Sequence, residues 1–553
     1  MILTAIIKGV RRCCVNPIWL RADNLTMDLQ EAFAEDGPLA AKTAGYRHRP
    51  QQLEMATRVA DACQSQSIAL LEAGPGTGKT FAYLVPLLGR GDVAVISTST
   101  RSLQDQLFSR DLPALVAALS ANVKVRMLKG RRNYLCKQRI EQAQQQGELA
   151  FESNSDRRID SELAKIAAYE QRSEDGDIAG IEGVRQFSPV WKMVTSTAEN
   201  CLQNECPHYD NCHVYRARRQ AKEAQIVVVN HSVVISDMAL RREGGAGLLP
   251  EKFSALVFDE AHELPDMLIA HLAEMIDTAA LAQDAGELLA SPQLAGEEQI
   301  SKTIKAVGNA AQAVLASAPR DWPASLTMAE VAGQSGFMAA LAVLRDCLQE
   351  VAELSEQLSA TKELAARLKT FVGGRAALLE RVVDAPQTGM NWLENGRERI
   401  IIKSAPADIE QLFADQILAK RTVVFASAAL ATAGSFAPFC RRLGIDEASA
   451  CTGQWESPFD FQRNSQLLLP ADMPQPNSED FAHKVIEIAT DLCQASDGRA
   501  FLLLSTRRAM HHAGKSLRNR LGKRYQVLVQ GEAHTARLLE RFTADAGRMK
   551  VLV

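Results

Sequence analysis

The chain has 553 residues, 46% of them hydrophobic, which is material for several cores, and a length of this order suggests roughly three or four domains. Its 62 Lys and Arg stand against 66 Asp and Glu, and the net charge of −4 excludes a global attraction to nucleic acid or to an acidic membrane, so any such binding must be local. No apolar run approaches the ~18 residues that span a bilayer, and the short apolar start precedes Lys8, Arg11 and Arg12, the reverse of a secretory signal; a cytoplasmic protein with no membrane contact is expected.

In chain order, residues 1–26 lack periodicity and carry Cys13 and Cys14 beside Arg11 and Arg12. They read as an extension outside the fold, with Met27 a candidate start. Pro50 suits the first turn of an amphipathic helix that runs to about Cys63. Gln52 on that helix offers a donor and an acceptor that match the edge of adenine; an exposed N-terminal glutamine is the other reading.

Ser67–Leu71 has the apolarity of a buried strand, and Thr80–Val85 opens a helix. Between them lies Ala73-Gly74-Pro75-Gly76-Thr77-Gly78-Lys79-Thr80, a phosphate-binding loop in the required strand–loop–helix context. Its glycines let successive N–H groups face phosphate oxygens at a helix N-terminus, whose dipole favours an anion. Lys79 is placed for the β- and γ-phosphates of ATP, and Thr80 for the bridging Mg2+. Ala73 stands where the pattern usually has its first glycine.

Val93–Ser97 is the next expected strand, and Thr98 to Leu107 supplies hydroxyls, Arg101 and a helix start, a means of holding a phosphodiester. Basic residues then concentrate: Lys124, Arg126, Lys129, Arg131, Arg132, Lys137 and Arg139 with Tyr134 among them, and later Arg216, Arg218, Arg219 and Lys222. Both groups flank Cys136, Cys201, Cys206 and Cys212, so they are expected to form one positive surface. The cysteine spacing is C-x64-C-x4-C-x5-C. Four thiolates in a chain without a secretory signal suggest a metal centre. Structural zinc usually takes tight C-x-x-C pairs, whereas an iron–sulfur cluster accepts looser spacing. His208 and His213 leave zinc as an alternative.

Ile226–Asn230 is a β-branched strand, followed by His231. Ala255–Phe258 is another, and it delivers Asp259 and Glu260 at its tip, before Ala261-His262. Strands alternate faces, so the two carboxylates take different work. Asp259 is placed to hold Mg2+ and Glu260 to polarise the water that attacks the γ-phosphate. From about Glu263 to Asn395, alanine- and leucine-rich segments predict a largely helical insertion. Strand character returns at Ile400–Ile402 and Thr422–Leu430. A second α/β unit follows, with strands at Ala500–Ser505, Gln526–Val529 and Val551–Val553.

The phosphate loop, the Asp259-Glu260-Ala261-His262 box, the four cysteines between them, Asn230-His231 and Ser457-Pro458-Phe459-Asp460 together resemble the DinG/XPD-like iron–sulfur DNA helicases of superfamily 2, nearest to the YoaA type. The resemblance runs from Met27 to Val553. It implies an α/β fold of two RecA-like domains, the first interrupted by a cluster domain and a helical arch. The implied boundaries are 27–125, 215–265 and 396–432 for the first motor domain, 126–214 for the cluster domain, 266–395 for the arch and 433–553 for the second motor domain, after the extension at 1–26. It further implies that Gln52 reads adenine and His262 belongs to the nucleotide site, that Ser97–Leu107 holds the DNA backbone, and that Cys136, Cys201, Cys206 and Cys212 bind a 4Fe-4S cluster. The implied activity is ATP-driven movement on single-stranded DNA and unwinding at duplex junctions, with replication or repair proteins as partners.

Two departures bear on that activity. Ser427-Ala428-Ala429-Leu430 replaces the family's Ser-Ala-Thr-Leu, which removes a hydroxyl thought to couple the two motor domains. The family's later DNA-coupling motif and its Gln-x-x-Gly-Arg-x-x-Arg segment are absent from the sequence, so these 553 residues are expected to bind nucleotide but to unwind poorly, as a truncated form of a motor. Two rival readings remain. The loop alone would suit a AAA+ ATPase acting on proteins, which ATP turnover with and without single-stranded DNA would separate. A non-motor DNA-binding module that reports redox state is the other, identified by DNA affinity that follows cluster oxidation and ignores ATP.

Overall fold

In the computed structural model the apolar runs become strands of two parallel sheets, and the alanine-rich middle becomes helices on an antiparallel one. The structure describes residues 19–553 apart from 23, 24, 44, 148–153, 199, 292, 293, 295, 358–361, 386–388, 420, 477, 534 and 545–548; Cys13 and Cys14 lie outside the described residues. There are two units. One comprises the described residues of Met1–His262, Lys420–Thr432 and Ser449–Val553, the other those of Glu263–Ala419 and Ala433–Ala448.

In the first unit Trp19–Ala22 (β1) and Leu25–Asp28 (β2) form a small antiparallel pair within the stretch read as an extension. The main sheet contains Ile68–Ala73 (β3), Ala94–Thr98 (β4), Val125–Met127 (β5), Ile226–Asn230 (β6), Ala255–Asp259 (β7), Thr422–Ser427 (β12) and Cys451–Trp455 (β13). Its order is β13-β3-β12-β7-β4-β6-β5, and every pairing is parallel. The central strands are almost wholly apolar because a parallel sheet is covered on both faces. The helices Pro50–Ser65 and Lys79–Arg90 supply Met55, Val59, Tyr83, Leu84 and Leu88 to its core.

The register aligns the strand ends. Ser427 lies opposite Glu72, Ala426 opposite Asp259, and Thr98 opposite both Asp259 and Asn230. All the C-terminal tips therefore share one edge, where open parallel sheets bind their ligands. Cys451–Trp455, expected within the second α/β unit, instead pairs with β3 as an edge strand of this sheet.

The cysteine segment has its own small core, in which Leu135, Ile140, Leu163, Ile166, Val190 and Val194 are buried among the helices Lys137–Gly147, Asn154–Glu170 and Val190–Val194. The last part of the chain forms a three-stranded parallel sheet from Ala500–Phe501 (β14), Tyr525–Leu528 (β15) and Met549–Leu552 (β16), in the order β14-β16-β15. Only Ala500–Phe501 of the expected Ala500–Ser505 run pairs as strand.

The second unit takes in the 266–395 stretch expected as a helical insertion and also residues 396–419 and 433–448, expected in the motor domains, and it carries a sheet. Glu274–Asp277 (β8), Ser325–Thr327 (β9), Met390–Asn395 (β10) and Ile400–Ala405 (β11) pair antiparallel in the order β8-β11-β10-β9. Against it lie long amphipathic helices. In Ser335–Gln357 the buried side chains are Phe337, Leu341, Leu344, Leu348 and Val351, one stripe at helical spacing.

Candidate active site

Strand β3 ends at Ala73, and the loop turns through Gly76 (φ +85°) and Gly78 (φ +84°) before Lys79 starts the helix Lys79–Arg90. The positive φ strains any side chain at both positions, and a Cβ on Gly76 would also displace the Phe459 ring and one on Gly78 the Gln52 amide. The loop is tied internally by the buried Thr77, whose hydroxyl donates to the Gly74 carbonyl at 2.9 Å. Lys79 Nζ folds back onto the Ala73 carbonyl at 3.2 Å. Gln52 is only 2% exposed, so the exposed-glutamine reading fails. Its amide nitrogen donates to the Gly78 carbonyl at 2.9 Å, and its Oε1 is buried without a partner.

Asp259 ends β7 on the same edge. Tyr83, fully buried one turn along the phosphate-loop helix, donates its hydroxyl to Asp259 Oδ2 at 3.1 Å, and the Glu260 N–H donates to Oδ1 at 3.1 Å. Burial, then the adjacent Glu260 charge, pushes the Asp259 carboxyl up to about 6, against the lowering effect of Tyr83 and Lys79. A divalent cation at this carboxylate would relieve that cost. Glu260 adopts φ +56°, a left-handed conformation that non-glycine residues seldom take, and it turns this carboxylate away from the strand path. Its Oε2 lies 3.5 Å from His262 Nδ1 and 3.5 Å from Ser427 Oγ, while His262 Nδ1 and Ser427 Oγ are 2.8 Å apart. His262 thus links the tip of β7 to the tip of β12.

Two residues here were missed in the sequence. Glu72 is a carboxylate inside an apolar strand, and it accepts from the Leu430 and Ala431 N–H groups at 2.6 and 2.7 Å, fastening the Ser427–Leu430 turn to β3. Tyr83 is the second. A charge interrupting Leu70-Leu71-Glu72-Ala73, and a phenol one turn beyond Thr80, were the available signals.

The segment expected to hold a DNA backbone is only partly open. Ser97 is buried and its hydroxyl bonds His231 Nδ1 at 2.7 Å; Thr98 is buried, and Gln104 donates to the Leu128 and Val228 carbonyls. Thr100 caps the following helix, and it remains exposed with Arg101 and Ser102. His231 is wholly buried, and burial pushes its pKa down to about 4, so it is a neutral pin between the tips of β4 and β6.

Cys136, Cys201, Cys206 and Cys212 are unbridged and line one cavity of about 70 Å³. Local structure brings them there. Cys136 precedes the helix Lys137–Gly147, Cys212 caps His213–Lys222, and Cys201 and Cys206 flank the turn Gln203–Glu205, whose Gln203 N–H points at Cys201 Sγ at 3.4 Å. Burial, with the three neighbouring thiols adding to it, pushes the Cys136 thiol up. Among the described residues, no three His, Cys, Asp or Glu side chains are already drawn together at metal-holding distances. His208 is engaged by Glu141 at 2.9 Å and His213 by Glu170 at 3.2 Å, and neither lines the cavity. Of the six candidate cysteine and histidine ligands, the four cysteines line the cavity and the two histidines do not.

The two basic groups do meet: Arg131 and Arg218 both lie over the Tyr215 ring, at 5.9 and 5.4 Å. Lys129 and Tyr134 depart from the expectation, since both are buried. Lys129 Nζ sits between Asp105 (2.6 Å) and Asp177 (2.7 Å), and the Tyr134 hydroxyl accepts from the Lys129 N–H.

The DEAD_2 family profile matches residues 98–281, from the end of β4 through the cysteines and the Asp259–His262 box. Over 520 residues the chain is 32% identical to the ATP-dependent DNA helicase YoaA of Haemophilus influenzae, covering 93% of this chain and 79% of that protein. The chain belongs to the YoaA/DinG family. The Escherichia coli protein named ATP-dependent DNA helicase YoaA is also 32% identical, over 95% of this chain and 81% of its own length. The ATP-dependent helicase DinG of Mycobacterium tuberculosis is 31% identical, over 95% of this chain and 80% of its own. Among solved structures, one titled XPD_Helicase overlaps 92% of this chain and 80% of its own, with a TM-score of 0.45 and 12% identity.

Proposed function

We propose that this protein is an ATP-dependent DNA helicase that couples ATP hydrolysis to translocation on single-stranded DNA and duplex unwinding, in the cytoplasm and in the service of DNA repair or replication. The observation that carries the reading is the hydrogen bond from Tyr83 on the phosphate-loop helix to Asp259, because it joins the loop that would hold phosphates to the carboxylates that would act on them. Gly74 to Thr80 cradle the triphosphate with backbone N–H groups, and Lys79 exchanges the Ala73 carbonyl for phosphate oxygens. Thr80 and Asp259 are the residues that would hold Mg2+, which would supply charge neutralisation to the phosphates. Glu260 accepts a proton as water oxygen bonds to the γ-phosphorus and the bond to the ADP oxygen breaks. The network of Glu260, His262 and Ser427 transmits that event to the turn held by Glu72. Gln52 offers its unpartnered Oε1 to the adenine amine.

Cys136, Cys201, Cys206 and Cys212 are the residues that would hold a 4Fe-4S cluster, which would supply a rigid cross-link of four chain segments. Arg131, Arg218 and Tyr215 beside that cavity offer charge and a ring face to single-stranded DNA. Iron and acid-labile sulfide in cluster proportion in an anaerobic preparation, lost in Cys206→Ser, supports the cysteine assignment. A preparation that holds zinc and no iron refutes it. Unwinding of a forked duplex that requires ATP tests the activity.

A further inference from the structure

Ser457-Pro458-Phe459-Asp460 takes no part in the chemistry above, yet it lies directly on the phosphate loop. The Gly74 N–H donates to the Trp455 carbonyl at 2.9 Å, Ser457 Oγ donates to the Pro75 carbonyl at 2.7 Å, and the Phe459 N–H donates to Ser457 Oγ at 3.2 Å. Trp455 Nε1 also reaches Glu54 Oε2 at 2.8 Å, on the helix that carries Gln52. These bonds hold the Phe459 ring against Gly76, but the residue remains 52% exposed. Burial does not explain a phenylalanine kept in this position, since much of its apolar surface still meets water. Its described ring neighbour is Phe461, edge-on at 6.2 Å. Two residues further along the same loop, Gln52 is fastened to Gly78 and its buried Oε1 has no partner. An open aromatic face and an acceptor for an amine, both at the rim of one phosphate site, complement an aminopurine.

We propose that Phe459 is the base-stacking residue of the nucleotide site, with the adenine ring of ATP lying on its open face. The inference rests on the reading of Gly74 to Thr80 as the ATP site and adds a specificity-determining side chain to it. Stacking of a base on an aromatic ring is worth enough that its removal weakens binding about 5- to 150-fold. Calorimetric titration of the parent, Phe459→Ala, Phe459→Trp and Lys79→Ala with magnesium ATP and with magnesium tripolyphosphate separates the possibilities. Phe459→Ala should weaken ATP by that factor and leave tripolyphosphate unchanged, and Phe459→Trp should restore ATP. Lys79→Ala should weaken both. Unchanged ATP affinity in Phe459→Ala, with Lys79→Ala still weakening both ligands, overturns the stacking role alone. Equal loss of both ligands in Phe459→Ala makes the segment a staple of the loop and also overturns it. No effect of Lys79→Ala on either ligand overturns the ATP site, and the stacking role with it.

Discussion

Replacing Lys129 by Met should destabilise the cysteine segment far more than a surface lysine substitution would. The Lys129 side chain is 4% exposed, and its ammonium sits 2.6 Å from Asp105 and 2.7 Å from Asp177, whose side chains are 25% and 15% exposed. Methionine fills the volume but leaves two carboxylates facing each other. Removing one partner of a buried ion pair costs about 3–5 kcal/mol, and the solvent that still reaches Asp105 and Asp177 places this case near 3. At about 2.1 cal/mol/K of unfolding entropy per residue, a cooperative unit as large as the first one loses about 3–5 °C of melting point. Lys129→Met combined with Asp105→Asn and Asp177→Asn removes the stranded charges and should recover most of the loss. There is also a pH signature. Burial lowers the Lys129 pKa, but Asp177 and Asp105 outweigh it and the net shift is upward. Its contribution is complete below the unfolded value of about 10.4 and fades as pH rises through the higher folded one, so strongly alkaline pH should lower the parent's melting point more than that of the triple variant. Circular dichroism melts and limited proteolysis of the cysteine segment measure both effects. A Lys129→Met protein that melts within about 1 °C of the parent, a shift well below that expected from a buried pair, would show that this ammonium does not hold the two carboxylates together.

Lys79→Ala should abolish ATP turnover and change affinity for single-stranded DNA by less than about threefold, under one kcal/mol, because the loop and the Arg131–Arg218 surface are separate; fluorescence anisotropy beside a phosphate-release assay reads both. Cys206→Ser should remove iron and weaken DNA binding more than ATP binding, and equal loss of the two would make the cysteine centre a general staple of the fold. Glu72→Leu strands the Leu430 and Ala431 N–H groups, at about 1–3 kcal/mol each. It should lower the melting point and reduce the DNA-stimulated part of ATP turnover while ATP affinity holds, whereas Glu72→Gln keeps a carbonyl oxygen that can accept from both N–H groups, as the single Oε2 does, and should lose much less stability.

What could be read from sequence was local. The phosphate loop, the helix beginning at Pro50 and the carboxylates at the end of β7 each announce themselves within a few residues, since strand apolarity, glycine spacing and terminal charge all act over one or two turns of chain. What could not be read depends on partners far along the chain. Glu72 is explained only by Leu430 and Ala431, 358 and 359 positions away, and Tyr83 only by Asp259, 176 away. Lys129 looked like part of a basic surface because the two aspartates that bury it come from separate segments. Strand β13 escaped notice because Thr452, Gly453 and Gln454 carry no apolar run, as suits an edge strand with partly exposed side chains. The four cysteines, grouped by spacing, line one cavity because turns and helix starts bring them there, while the engagement of the two nearby histidines by Glu141 and Glu170 could not be read from spacing.

In the proposed function, this sheet edge hydrolyses ATP in response to single-stranded DNA. Phosphate release measured across a titration of single-stranded DNA, for the parent and for Glu260→Gln, tests it most directly, because Glu260→Gln keeps the phosphate and Mg2+ contacts while removing the base. Turnover should rise with DNA in the parent, and Glu260→Gln should retain ATP with turnover near background at every DNA concentration. A Glu260→Gln rate equal to the parent's, or a parent rate that DNA does not change, would contradict it.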